Sequence, residues 1–391
     1  MYSFAFASSK NERLFMPFHP ETLLVASAVT ALVMWFAEPS ARRFNLLDHP
    51  NDNRKDHALP TPVTGGIAMV AGVVVAGIAT LPILAPVLAF GLAAIFLLLV
   101  GLIDDLVDVR WWVRLFAQAA AALLLVYIGG VRIEQIGPVF GFGEMSLGML
   151  SVPFTVFATV GLINAINMVD GMDGLAGSLV MAALAMMFAA AWYSGNVPLG
   201  SQLMVLGGAV VAFLAWNLRL PWRPRARAFM GNAGSAFLGL SIAWVSFRLT
   251  QNPGHPVSPV LALWLLPIPV MDCLVLIGHR LRAGRSPFSA GRDHIHHLML
   301  DAGFTPTWIL VVLVTFSLLC GAVIGQAMRI DVPHPLLLGA FVALCGGWYW
   351  MTARRERALR FFRRLRGDRA VAPPAHDAAK ILVERQFRDS K

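Results

Sequence analysis

The stretch NAINMVDGMDGLAG, residues 164–177, sets two asparagines and two aspartates at three-residue steps: Asn164, Asn167, Asp170 and Asp173. Gly171, Gly174 and Gly177 lie among or just after them. Side chains of this kind can ligate a hard cation, or hydrogen-bond a ribose or a base edge. A regular α-helix cannot bring all four together, because each three-residue step drifts by about 60°. The glycines let the chain leave the helix. The expected arrangement is therefore a helix end over 164–169, a turn over 170–174 and a new helix from 175. Capping of that helix accounts for Asp173 but not for all four.

Four further clusters carry chemistry. HPNDNRKDHALPTPVTGG (49–66) is a basic loop containing Lys55 and His57. GLIDDLVDVRWW (101–112) holds Asp104, Asp105 and Asp108. Adjacent carboxylates diverge by about 100° on a helix, yet neighbours can share Mg²⁺ through direct and water-mediated contacts, since that ion takes one or two carboxylates plus phosphates and water. Helix ending is the ordinary alternative. RARAFMGNAGSAF (225–237) contains GNAGS before an expected helix, a pattern that brings backbone N–H groups close to a phosphate. RLRAGRSPFSAGRDHIHHL (280–298) offers His294, His296 and His297 beside Arg292. The one-face spacing of a soft-metal site is missing, so phosphate contact suits these donors better.

The elements that must position these groups are apolar. Of 391 residues, 57% are hydrophobic and 14% charged, and mean hydropathy is +0.67. A soluble domain carries about 25% charged residues, so the composition indicates a membrane protein. Apolar runs approaching the ~20 residues a bilayer requires recur near 20–37, 66–82, 86–103, 112–129, 150–167, 176–194, 201–217, 233–249, 258–278, 306–327 and 335–352. The expected fold is all-α and polytopic, with about eleven transmembrane helices. The N-terminus lacks the pattern of a cleaved signal, which leaves the first apolar run as an anchor. Cys273, Cys320 and Cys345 fall within apolar runs and are expected as buried hydrophobes without disulfides.

Eleven alternating spans divide the loops into two sets. One side carries 26 of the 31 Lys and Arg; the other has Lys10, Arg13, Arg132, Arg248 and Arg329. The positive-inside rule puts the basic side in the cytoplasm, with the N-terminus outside and the C-terminus inside. The net charge of +9 is thus mostly topology, and no nucleic-acid partner is expected. Residues 1–352 form an integral-membrane domain and 353–391 a basic cytoplasmic tail. Its run ARRERALRFFRRLRGDR suits a topology signal or contact with anionic lipids.

All five clusters fall on the cytoplasmic side. Costly ionisable groups gathered at one membrane face argue for a shared functional site. Carboxylates for Mg²⁺, basic donors for phosphates and glycine turns fit phosphoryl transfer. An ion-coupled transporter is the alternative from another class. Its one foothold is Asp272, inside PIPVMDCLVLIGH, and no internal repeat accompanies it.

Taken in order, RKDHALPTPVTGG (54–66), DDLVD (104–108), NAINMVDGMDGLAG, FMGNAGS (229–235) and SPFSAGRDHIHHLML (286–300) resemble the motifs of the polyprenyl-phosphate N-acetylhexosamine-1-phosphate transferases, the glycosyltransferase 4 family. Within it the chain looks most like the bacterial undecaprenyl-phosphate α-N-acetylglucosaminyl 1-phosphate transferases. The resemblance spans roughly 45–305 and implies an enzyme of the bacterial inner membrane whose active site faces the cytoplasm. A UDP-amino sugar would give its sugar 1-phosphate to undecaprenyl phosphate of the inner leaflet, releasing UMP and beginning O-antigen or a related glycan. HIHHL resembles the amino-sugar branch more than the muramyl-pentapeptide branch. N-acetylglucosamine is the first donor to expect, with N-acetylfucosamine or another modified sugar open.

By the same resemblance Asp104, Asp105, Asp170 and Asp173 are catalytic. Asp104, Asp105, Asp170 and Asn232 would hold Mg²⁺, for which Mn²⁺ can substitute. Lys55, His57, Asn164, Asn167, Phe229, Gly231, Arg292, His294, His296 and His297 would bind substrate. Two positions depart from the family pattern, which usually has Asp where this chain has Asn232 and Gly291. A neutral Asn232 weakens metal binding unless another carboxylate substitutes, so an inactive lipid or nucleotide binder is a further alternative. A homodimer is left open.

Overall fold

The computed structural model describes residues 19–44, 46–48, 60–141, 143–251, 257–287 and 291–367. Every expected apolar run lies on a helix. In chain order these are α1 (Pro20–Arg43), α2 (Gly65–Thr80), α3 (Ala85–Val107), α4 (Trp111–Tyr127), α5 (Ser151–Val169), α6 (Leu175–Tyr193), α7 (Val197–Asn217), α8 (Gly231–Thr250), α9 (Pro259–Leu265), α10 (Pro267–Arg282), α11 (Ile295–Asp301), α12 (Pro306–Arg329), α13 (His334–Thr352) and α14 (Arg355–Arg366). A two-stranded antiparallel ribbon, β1 (Leu47–Asp48) with β2 (Thr61–Pro62), closes the base of the first polar loop.

The chain is a mostly helical, polytopic membrane protein. Among the described residues eight helices are long and apolar enough to cross a bilayer. The expected single span over 258–278 is instead a bent pair, α9 and α10, meeting at 88°. Pro267 explains the break: it lacks an N–H and disfavours helix at Leu266 before it. α2 and α4, at 16 and 17 residues, extend only about 25 Å against a hydrocarbon core of about 30 Å. The count of eleven is reached only if the bent pair and both short helices cross.

α8 is the central helix. It is almost wholly buried and packs against α2, α3, α4, α5, α6, α7 and α9, which suits a helix apolar all round. The peripheral α1, α12 and α13 bury a minor part of their surface and leave the rest to lipid. Small residues let α3 approach α8: a Cβ on Gly101 would stand 2.4 Å from the Ala233 Cα. Membrane helices associate through such small-residue contacts. The end of α3 is thereby brought against the start of α8.

Gly101→Ala should therefore cost about 1–3 kcal/mol by overpacking. Gly91→Ala, on the same helix with nothing within 4 Å of the added methyl, should leave stability unchanged or raised. Thermal unfolding of the two variants in one detergent checks the contrast; equal midpoints would contradict the packing.

Candidate functional site

Asp104 and Asp105 occupy the last turn of α3 and point apart, as neighbours on a helix must. Asp104 is buried; its carboxylate accepts the Val109 N–H at 2.8 Å and Arg114 Nη1 at 3.3 Å. Asp105 reaches the opening of α8, accepting the N–H of Asn232 at 2.9 Å and of Ala233 at 3.4 Å. Free N–H groups and the positive end of the helix dipole make that opening an anion site. The GNAGS amides expected to cradle a phosphate are thus already engaged by a carboxylate of the chain itself. Gly231 permits this: its φ is +70°, and a Cβ there would lie 2.5 Å from Asp105 Oδ2 and 2.2 Å from Val63 Cγ1. Phe229 pairs through its backbone, donating to Pro62 O at 2.8 Å and accepting from Gly65 N at 3.0 Å. It joins the first polar loop to the start of α8.

α5 ends at Val169 and α6 begins at Leu175, so the turn over 170–174 forms where the glycines put it. Its four polar residues separate into distinct roles. Asn164 Nδ2 donates to Gln118 Oε1 at 2.7 Å and to Val160 O at 2.8 Å. Asn167 Nδ2 donates to Ser235 Oγ at 2.9 Å and to Asn232 Oδ1 at 3.2 Å, tying α5 to α8. Asp173 does not cap α6. It accepts Arg219 Nε at 2.8 Å and the Ala226 N–H at 3.1 Å, bracing the loop between α7 and α8. The N–H of Gly174 goes to Asn217 Oδ1 instead, at 2.9 Å.

Asp170 has the most perturbed environment of the four. Burial, then the negative charges of Asp105, Asp48 and Asp173, push its carboxyl up to about 7. The negative field at Asp170 thus joins Asp105 of α3 to Asp48 and Asp173. Asp48, brought in by the β-ribbon, belongs to the same field and is invisible to motif spacing.

The histidines form the facing wall. His294, which precedes α11, donates from Nδ1 to Asp272 Oδ2 at 2.9 Å; both groups are buried. The same carboxylate accepts the Ile295 N–H at 3.2 Å and Trp348 Nε1 at 3.4 Å. Asp272, odd in its apolar run, thus has a polar setting made by the histidine segment. Its signal in the sequence is the rule that a carboxylate at membrane depth needs a partner. His296 is fully buried, and neither ring nitrogen has a hydrogen-bond partner among the described residues. It rests against the 170–174 turn, where a Cβ on Gly171 would meet His296 Nε2 at 2.5 Å. Burial first, then His297, His294 and Arg292, hold His296 well below its ordinary range. It is neutral, with ring nitrogens able to donate or accept. The His297 ring centroid lies 4.2 Å from that of His296. Arg292 is half-buried beside them.

Beside the histidines lies a cavity of ≈ 330 Å³. Asp104, Asn164, Asn167, Asn232 and all three histidines line it, joined by Arg114, Gln118 and Arg280, which motif reading did not select. Asp105, Asp170 and Asp173 are not among its lining residues. Lys55 and His57 lie outside the described residues.

Among the described residues no three His, Cys, Asp or Glu side chains form a ready-made metal cage. The donor set does fit Mg²⁺, which needs one or two protein carboxylates and takes its other ligands from phosphates and water. The mutually repelling carboxylates around Asp170 supply the negative field for such a cation.

The cavity, lined by Asp104, asparagine amides and the histidines, sits in a multi-helix membrane fold, and the proteins that the chain resembles make it a phosphoglycosyl transferase. Glycosyl transferase family 4 matches residues 87–250. The undecaprenyl-phosphate α-N-acetylglucosaminyl 1-phosphate transferase of Escherichia coli (strain K12) is 35% identical over 351 residues, covering 88% of this chain and 95% of the relative. Those of Yersinia pestis, at 34% over 85% and 91% of the two chains, and Haemophilus influenzae, at 32% over 80% and 88%, are similar. The chain belongs to glycosyl transferase family 4.

Gly231→Ala should shift the Asp105 carboxylate and lower turnover by about 10²-fold, the usual consequence of ångström-scale misplacement. Initial rates on membranes normalised for protein level measure the effect. A rate equal to that of the unchanged chain would show that the Gly231–Asp105 contact is dispensable.

Proposed function

We propose that the chain transfers a sugar 1-phosphate, N-acetylglucosamine 1-phosphate first among candidates, from a UDP-N-acetylhexosamine to undecaprenyl phosphate. UMP leaves, and the lipid-linked pyrophosphate sugar opens synthesis of O-antigen or a related glycan. The observation that carries the reading is the convergence of four separate polar segments around one cavity, in a chain whose relatives bear the name of this activity. The site would face the cytoplasm from the bacterial inner membrane, with eleven crossings, the N-terminus outside and the C-terminus inside, as the distribution of Lys and Arg favours. Anionic lipids at the basic tail and a homodimer belong to the same proposal.

Asp105 and Asp170 would hold Mg²⁺ or Mn²⁺, with Asn232 beside them. Asp104 pairs with Arg114 and would orient its guanidinium toward the cavity that both residues line. When bound, the metal supplies charge neutralisation for the phosphates, which is most of what phosphoryl transfer requires. Neutral His296, with His294, His297 and Arg292, offers donors to the nucleotide sugar's phosphates. Asn164 and Asn167 line the adjoining wall for the nucleotide. A strong general base is unnecessary, since the second pKa of a phosphate monoester is about 6 and the lipid phosphate is already mostly dianionic at neutral pH. The transporter alternative loses its foothold, because Asp272 is engaged by His294 and Trp348. The inactive-binder alternative rests on Asn232.

Purified protein given undecaprenyl phosphate, UDP-N-acetylglucosamine and Mg²⁺ should release UMP only with both substrates present, and cease on chelation. Asp105→Ala and Asp170→Ala should abolish release with membrane insertion intact. Silence across a panel of UDP-amino sugars, with nucleotide binding retained, would instead establish an inactive binder.

Metal affinity should also follow pH. With the Asp170 carboxyl raised to about 7, a proton occupies it below that value and must be displaced by the cation; above it the carboxylate is free. Mg²⁺ binding should weaken as pH falls from 8 to 6 and release protons, and Asp170→Asn should flatten the dependence. Calorimetric titration in buffers of different ionisation enthalpy tests this. A pH-independent affinity would remove Asp170 from the metal site.

A further inference from the structure

α14 is an amphipathic helix whose inner face holds α11. Arg355 bonds Asp293 at 3.2 Å and also pairs with Asp301, bracketing α11 at both ends. Arg366 Nη1 donates to Ala302 O at 3.3 Å. Between these points Ala358 and Phe362 are buried, and the Phe362 ring meets those of Phe304 and Trp348 at 6.4 and 6.1 Å. Trp348 in turn donates to Asp272, the carboxylate that holds His294. α14 is thus two contacts from the histidine wall.

Its outer surface is built for something else. Arg360, Arg363 and Arg364 are exposed, and none pairs with a carboxylate among the described residues. At 100° per residue they span one side of the helix, while exposed Phe361 and Leu365 flank the buried face. A helix that is basic on one side and apolar on the other lies in the plane of a membrane surface. Its level is marked independently. Trp308 opens α12 and Trp350 closes α13, and they are 63% and 64% exposed. Exposed Trp at helix ends marks the lipid–water interface. Arg357 stacks on Trp350 with its guanidinium carbon 4.0 Å from the ring centroid. Arginines with no carboxylate partner among the described residues match, at that depth, the phosphates of anionic lipids.

We propose that α14 is an interfacial clasp: its outer face rests on an anionic lipid surface, and this seating holds α11 and the histidine wall in place. The proposal rests on the reading of His294, His296 and His297 as part of the substrate site, and its test does not use turnover.

The full chain is placed in nanodiscs of phosphatidylcholine alone or mixed with phosphatidylglycerol, and hydrogen exchange is followed over residues 293–302. Exchange there should be slower with phosphatidylglycerol. The triple variant Arg360→Gln, Arg363→Gln, Arg364→Gln, which spares every contact to α11, should exchange equally in both lipids. Each lost arginine weakens surface association about fivefold. Exchange of the unchanged chain that is indifferent to lipid would overturn the clasp and leave these arginines as a topology signal. So would a triple variant that keeps the protection. A chain that shows the lipid-dependent protection yet releases no UMP upholds the clasp and sinks the transferase reading alone.

Discussion

The contact between Asp105 and the first turn of α8 is the constraint on which the rest of the site depends. A carboxylate at the edge of a bilayer has lost much of its water and must be compensated by the protein. The α8 opening supplies two backbone N–H groups and the positive end of a helix dipole. Reaching them requires that α3 and α8 nearly touch, and the Gly101–Ala233 approach makes that distance available. Phe229 pairs with Pro62 and Gly65, so the same junction fixes the first polar loop and brings Asp48 into the acidic field. Asn167 spans from α5 to Asn232 and Ser235. One ion–dipole contact thereby gathers the ends of α2, α3, α5 and α8.

The acidic cluster and the histidine wall are electrically unlike. The acidic cluster is frustrated: burial first, then the neighbouring carboxylates, keep a proton on Asp170 close to neutrality. A divalent cation would relieve that conflict. The histidine wall is quiet. His296 is neutral and buried, while the negative charge of Asp272 is covered by His294, Ile295 and Trp348. Neutral His296 could approach phosphate oxygens without first losing a hydrogen-bond partner among the described residues.

Asn232 is less anomalous in three dimensions than along the chain. Its backbone N–H serves Asp105, and its side-chain oxygen accepts from Asn167. Asp48 adds to the negative field at Asp170.

Much of the architecture was legible in the sequence, because oil and charge separate by length alone. Apolar runs became helices at nearly the expected bounds, and the 170–174 turn fell where glycines break a helix. What sequence spacing could not decide is which carboxylates act together. Asp104 and Asp105 are neighbours in the chain but diverge by helical geometry, while Asp105 and Asp170 are 65 positions apart and Asp105 reaches Asp170 through its electric field, brought near by the packing of α3, α5 and α8. The role of Asp272 and the bend before it were hidden for the same reason: both are settled by contacts between distant segments. Composition dictates what must be buried in lipid. Only helix packing chooses which polar ends are buried together.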